Sequence, residues 1–308
     1  MSRTRIGIGF GGGRFGLPSP EDICAFAERA EDLGIDSIWL SERITSSQPQ
    51  LDIACLMAVF ATRTKRIKMG PSVMTLPARD PVQVARTYAT LDYLSGGKRR
   101  VIMAVGLGAD PRDCLACGIP SEERGARMEE GVEVLRKLWT DTKVSHHGRF
   151  YNFDNVTIEP RPAGGPLDVW IGGRTDIALR RVAKYGDGWF PSFISPEEFR
   201  AGMIKLTEYG AARGRAIDPN EAGVVLLTHV TDDPDEARSI LQLAGAALQR
   251  DPGEMAERAA VGPAQECVER IRKYIEAGCT KFVLFPLCPP DQLAAQITTY
   301  AKSILPNC

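Results

Sequence analysis

The strongest constraint in this chain is one unit, an apolar β-rich run followed by a segment of helical periodicity, repeated along nearly the whole length. Candidate strands fall at 5–10, 37–40, 67–74, 100–106, 168–172, 188–192, 223–230 and 281–286. Val101-Ile-Met-Ala-Val105 and Val224-Val-Leu-Leu227 are apolar at consecutive positions, as parallel strands covered on both sides require. The first helix is expected to open at Ser19-Pro20-Glu21-Asp22, where serine caps, proline suits the first turn and the acids face the positive dipole end, and to stop at Gly34. Further helices are expected near 51–63, 80–94, 122–139, 175–185, 196–212, 233–249 and 263–277, with a last one near 290–304. Eight such units joined by right-handed crossovers predict an α/β fold, a (β/α)8 TIM barrel. A doubly wound sheet is the alternative. Residues 144–166 break the rhythm and read as an inserted hairpin. No linker or repeat divides the chain, so residues 1–308 are expected to form a single domain.

The charge balance narrows the partner. With 38 basic and 39 acidic side chains the net charge is −1, which offers no footprint for nucleic acid and none for an anionic membrane. A small-molecule partner is expected. No run approaches the ~20 apolar residues of a membrane span. The start, Met1 to Arg5 leading into a glycine-rich stretch, is too short and too glycine-rich for a signal peptide, so a cytoplasmic location is expected. The eight cysteines are scattered and read as reduced thiols. Cys114-Leu-Ala-Cys117 has no second pair, and no metal site is expected. Gly7-Ile-Gly-Phe-Gly-Gly12 fits the letters of a dinucleotide turn, but no helix follows until Pro20. Those glycines read instead as room for a close approach of ligand or backbone. His229 fits either the barrel mouth or a hydrogen-bonded core position.

Barrel enzymes place chemistry at the carboxyl ends of their strands. Here those ends carry glycines, hydroxyls and apolar residues, without the histidine and carboxylate set of a metallohydrolase or the strand-end lysine of a Schiff-base aldolase. A large planar cofactor with a phosphate tail suits such a surface. In Ile171-Gly-Gly-Arg-Thr175 a strand ends in two glycines and a helix begins at once. Gly172, Gly173, Arg174 and Thr175 therefore form a candidate phosphate turn, with an ordinary tight turn as the alternative.

Taken in order, Gly34-Ile-Asp-Ser-Ile-Trp-Leu40, Arg66-Ile-Lys-Met-Gly-Pro-Ser-Val-Met74, Asp80-Pro81, Thr90 to Gly97, Val105-Gly-Leu-Gly108, Val169-Trp-Ile-Gly-Gly173 and Gly186-Asp-Gly-Trp189 resemble the bacterial luciferase-like flavin- and deazaflavin-dependent oxidoreductases. The likeness spans almost the whole chain. It implies a (β/α)8 barrel with an insertion and a cofactor, coenzyme F420 or FMN, across the strand ends. By position, Ser72 and Val73, followed by Met74, match a bulge holding a non-proline cis peptide behind the cofactor ring. Gly106 matches the ring's edge, Gly172 and Gly173 the phosphate turn, and Ser192 a phosphate-contacting hydroxyl. Two departures stand out. Many relatives carry Asp-His where this chain has Glu42-Arg43, and the deazaflavin sugar-phosphate dehydrogenases carry a catalytic glutamate where this chain has Ala109. Glu42 and Arg43 remain catalytic candidates. Arg43 cannot shuttle a proton near neutral pH but can orient an anion or stabilise a reduced ring; the alternative is an arginine paired with Glu42 or Asp52.

The resemblance implies an oxidoreductase, transferring hydride between F420 and a small organic substrate. An FMN-dependent monooxygenase using molecular oxygen is the alternative, and a non-catalytic flavin-binding barrel the third reading. Loops 41–50, 107–120 and 145–165 are expected to wall the substrate pocket. Relatives are commonly dimers, so a homodimer is expected, with Leu51, Leu56, Met57 and Phe60 as a candidate contact.

Overall fold

The computed structural model describes residues 4–308; Met1–Arg3, the beginning of the stretch read as lacking a signal peptide, lie outside the described residues. Twelve strands run in chain order: β1 Arg5–Phe10, β2 Ser37–Leu40, β3 Lys68–Pro71, β4 Met74–Thr75, β5 Met103–Gly106, β6 Val144–His147, β7 Asn152–Val156, β8 Val169–Gly172, β9 Gly188–Phe190, β10 Gly223–Val230, β11 Ala259–Gly262 and β12 Lys281–Pro286. Eleven α-helices accompany them: α1 Pro20–Asp32, α2 Ile53–Arg63, α3 Pro81–Leu94, α4 Pro111–Ala116, α5 Arg124–Thr140, α6 Asp176–Tyr185, α7 Pro196–Ala211, α8 Pro234–Leu248, α9 Pro252–Arg258, α10 Ala264–Glu276 and α11 Pro290–Thr299. As expected, Ser19 Oγ accepts from the Asp22 amide to start α1.

All barrel pairings are parallel. β10, β12, β1, β2 and β3 form one run and β4, β5, β8 and β9 another. Two narrow seams join them into a ring. At the first, Met69 pairs with Val101, and the Ile102 amide donates to Met69 O at 2.9 Å. At the second, Trp189 pairs with Ala222 and Ser192 with Val225. β11 was not anticipated. It pairs with the second half of β10, on the edge whose first half meets β9. The short helices α4 and α9 were also missed, because six or seven residues are too few to show a period.

Two apolar layers hold the barrel. The larger lies between strands and helices, where Ile6, Ile8 and Phe10 of β1 meet Phe26 and Phe60. The smaller fills the barrel with Trp39, Ile102, Ala104, Trp170, Phe190, Val225 and Val283. Gly7 and Gly9 are explained here. They face the interior, and a Cβ on Gly9 would stand 2.1 Å from the Phe285 ring. They make room inside the barrel and form no dinucleotide turn.

Two expectations need correction. Leu56, Met57 and Phe60 are buried inside the subunit against the strands, because α2 turns this face to the barrel, so they are not available as a dimer contact. The inserted hairpin, β6 and β7, does not wall the mouth. It runs beside α5, where Glu130 accepts from the amides of Phe150 and Tyr151, since the chain leaves α5 at the amino-end face of the barrel. Loop 107–120 does lie at the mouth, but it does not line the cavity described below. No described helix is long and apolar enough to cross a membrane.

Candidate active site

The site begins with a bulge between β3 and β4. The Ser72 amide donates to Leu40 O at 2.6 Å, and the Ser72–Val73 peptide is cis. The Val73 side chain lies across the ends of two neighbouring strands. A Cβ on Gly106 would stand 2.5 Å from Val73 Cγ2, and one on Gly172 would stand 3.2 Å from Val73 Cγ1. A side chain at 106 would displace Val73, and one at 172 would crowd it. Val73 stays half-exposed and forms an apolar shelf at the barrel mouth. Met74 turns the other way, with its side chain buried in the layer beneath the helices, and reaches the mouth only through its backbone.

The candidate phosphate turn adjoins this shelf. Gly173 has φ +111°, and a Cβ there would come within 2.7 Å of the Ala178 Cβ. Trp189 Nε1 donates to Gly173 O at 2.8 Å and fixes the turn from below. Thr175 caps α6 by accepting from the Ala178 amide at 3.3 Å. Arg174 is exposed and has no ion-pair partner among the described residues. Burial of its stem, then Arg250, hold its guanidinium below the usual arginine range, yet it remains a cation at neutral pH. Ser192 is exposed where β9 meets β10.

Glu42 and Arg43 have separate fates. The Glu42 side chain is 5% exposed; it accepts from the Thr75 amide at 2.6 Å and pairs with Arg79. Thr75 lies two residues after Val73, so this bond ties Glu42 to the end of the bulge. Burial lowers the Arg79 pKa, but Glu42 outweighs this and raises it. Arg43 pairs with neither Glu42 nor Asp52. Its Nε donates to Asp113 at 3.1 Å and its Nη2 to Asp110 at 3.1 Å, so two carboxylates meet its charge. Asp113 also accepts from the Thr45 amide and hydroxyl at 2.8 and 2.6 Å. Burial pushes its carboxyl up, and Thr45 together with Arg43 more than reverses this. The group clamps loop 41–50 onto α4. Asp110 and Asp113 lie 67 and 70 positions from Arg43, beyond any sequence signal.

His229 resolves to the buried alternative: it is 2% exposed, with Nε2 3.2 Å from Glu236 Oε1, and ties β10 to α8. Cys114 and Cys117 are free thiols. On the opposite side of the mouth, above β1, β10 and β12, lies a cavity of about 280 Å³. Ser41, Gln50, Phe193 and Phe285 line it, and the sequence did not single out the last three.

Known proteins of similar sequence and fold place the chain in a family. The profile of the family described as luciferase-like monooxygenase matches residues 3–251. The chain is 28% identical to an F420-dependent glucose-6-phosphate dehydrogenase of Intrasporangium calvum, over 94% of this chain and 95% of that protein. Its fold superimposes on an F420-dependent secondary alcohol dehydrogenase solved with an F420–acetone adduct, with TM-score 0.84, 21% identity and 98% of each chain covered. It also matches the monooxygenase RslO1 from Streptomyces bottropensis, with TM-score 0.83, 22% identity, and 98% of this chain and 99% of that one covered. The chain belongs to the luciferase-like monooxygenase family and is an oxidoreductase of the luciferase-like class.

Proposed function

We propose that this protein is an F420-dependent oxidoreductase that exchanges a hydride with a small organic substrate. The observation that carries this reading is the Val73 shelf laid across Gly106 and Gly172, beside the Gly173–Arg174 turn. An apolar platform supports one face of a planar ring, and an adjacent helix start with free amides and an arginine suits its anionic tail. The curated relative named above is F420-dependent by name, which supports the deazaflavin over FMN. When bound, the deazaflavin supplies a two-electron hydride acceptor or donor.

The chain's own residues bind and orient. Val73 would back the ring, and Gly106 would leave room at its edge. Gly172, Gly173, Arg174 and Ser192 would hold the phosphate. Glu42 keeps the bulge in place through Thr75. Arg43, engaged by Asp110 and Asp113, fixes the neighbouring loop and is not free to attract an anionic substrate. With alanine at 109 and both candidate charged residues in structural pairs, the reaction relies on positioning more than on a side-chain proton donor.

The test is anaerobic turnover. Protein supplied with oxidised F420 and a panel of alcohols should reduce the cofactor. Oxygen-dependent product formation with reduced FMN, and none with F420, would establish the monooxygenase instead. Tight cofactor binding without turnover on a broad panel would favour a non-catalytic binder.

A further inference from the structure

We infer that the cavity above β1, β10 and β12 holds the body of the substrate, and that it selects a largely hydrocarbon alcohol or carbonyl compound over a sugar phosphate. The inference rests on the reading of the Val73 shelf as the cofactor platform.

The walls carry the argument. The β1–α1 loop supplies Phe15 and Leu17, the barrel mouth Phe193 and Phe285, and α8 Leu243 and Leu248. Of the fifteen residues of α8, Ala244 and Gly245 alone are fully buried, so packing does not consume the helix's apolar side. That side faces the cavity. Among the described lining residues Arg14 is the one base, and it is exposed. Cys288, also in the wall, is a neutral thiol, its pKa pushed up to about 12 by burial and then by Asp291. A phosphate dianion placed inside would lose its water without a buried cation to replace it.

One stretch of the cavity wall, Ser41 with Gln50, is polar. Gln50 Nε2 donates to Ser41 O at 3.0 Å and to Ser41 Oγ at 3.3 Å. The Ser41 hydroxyl hydrogen and Gln50 Oε1 are not used in these contacts, one donor and one acceptor, enough for a single hydroxyl or carbonyl oxygen. Ser41 follows Leu40, whose carbonyl accepts from the Ser72 amide, so the polar stretch lies one residue from the anchor of the bulge. Val73, Phe193 and Phe285 all pack against the apolar cluster inside the barrel, and the two phenylalanines also line the cavity, so the one cluster underlies both regions. A substrate with its oxygen at Ser41 and Gln50 and its chain beneath α8 presents its reactive carbon toward the shelf.

The test uses protein loaded with oxidised F420 and the series from butan-2-ol to decan-2-ol, with affinity read by displacement of Nile red. Each added methylene should tighten binding about three- to fourfold until the cavity is full, while glucose 6-phosphate displaces no dye. Ala247→Trp, which fills the cavity from α8, should flatten the chain-length dependence and leave F420 affinity unchanged. Leu243→Gln, a milder change, should reduce the slope in a protein with wild-type melting behaviour. A flat series in the wild type, or glucose 6-phosphate displacing dye as well as decan-2-ol, overturns the inference. Failure of F420 to bind overturns the cofactor reading instead, and the series run on cofactor-free protein still judges the pocket.

Discussion

On the β3, β5 and β8 side of the barrel mouth Gly106, Gly172 and Gly173 carry no side chain, and Val73 crosses the first two. On the β1, β10 and β12 side the same height is occupied by Phe193, Phe285 and the leucines of α8, arranged around open space. The first region is flat, shallow and bordered by an arginine, and the second is deep and apolar. One ring of strands thus offers two surfaces for two molecules, and a reaction between them needs both at once. The contrast also separates consequences: damage to the glycine floor should affect the cofactor, and damage to the chamber should affect the substrate.

The largest effect is expected at Glu42. Glu42→Ala leaves Arg79 half-buried without its carboxylate and frees the Thr75 amide. Breaking such a pair should cost about 3 kcal/mol, measured by urea unfolding, and weaken cofactor binding through the displaced bulge. Wild-type stability would show that Glu42 does not hold the floor. Next comes Gly106→Ala, whose new methyl would stand 2.5 Å from Val73 Cγ2. Overpacking of this kind costs about 2 kcal/mol, equivalent to roughly 30-fold in F420 affinity if the strain falls on the shelf, with Nile red binding in the chamber unchanged. Equal losses at both sites would erase the distinction between the two regions.

A smaller effect is expected from Gly173→Asp, which sets a carboxylate against the cofactor's phosphate at a position with φ +111°. F420 affinity should fall about tenfold, measured by fluorescence titration, and the loss should shrink at high salt. Unchanged affinity would remove this turn from the site. Arg43→Ala should matter least. Its side chain is 35% exposed, and although Asp113 is buried, that carboxylate keeps the Thr45 amide and hydroxyl as donors, so a loss of about 1 kcal/mol is expected. The same clamp has a pH signature. Since the folded Asp113 pKa is lowered, its contribution is complete above the ordinary aspartate range and disappears as pH falls through the folded value. Protection of the Thr45 amide, taken relative to the exchange rate of an unstructured chain at the same pH, should therefore fall as the solution is acidified below the ordinary aspartate range, and Asp113→Asn should show no such fall. An identical acid response in that variant would assign the effect elsewhere.

The barrel was legible because its strands are written locally. The runs at 5–10, 37–40, 223–230 and 281–286 recur with the same bounds, and eight of the eleven α-helices open on a side-chain cap. β11 was hidden because Ala259–Gly262 is four residues of small apolar character directly after a short helix. Within the site, the glycines at 106, 172 and 173 were visible as strand-end glycines, and the bulge at 72–73 followed from the resemblance. The roles of Glu42 and Arg43 were not legible, since the partners that engage them come from other loops. The chamber was invisible for a different reason. Leu243 with Ala247 and Ala244 with Leu248 have the four-residue spacing of an ordinary core face, and sequence does not distinguish an apolar face that packs from one that borders a cavity.

The account turns on the glycine floor as a deazaflavin platform, and equilibrium titration of the wild-type protein with F420 and, separately, with FMN tests it most directly. F420 should bind with clear saturation and more tightly than FMN. Absence of binding by either at high micromolar concentration, or tighter binding of FMN, would contradict it.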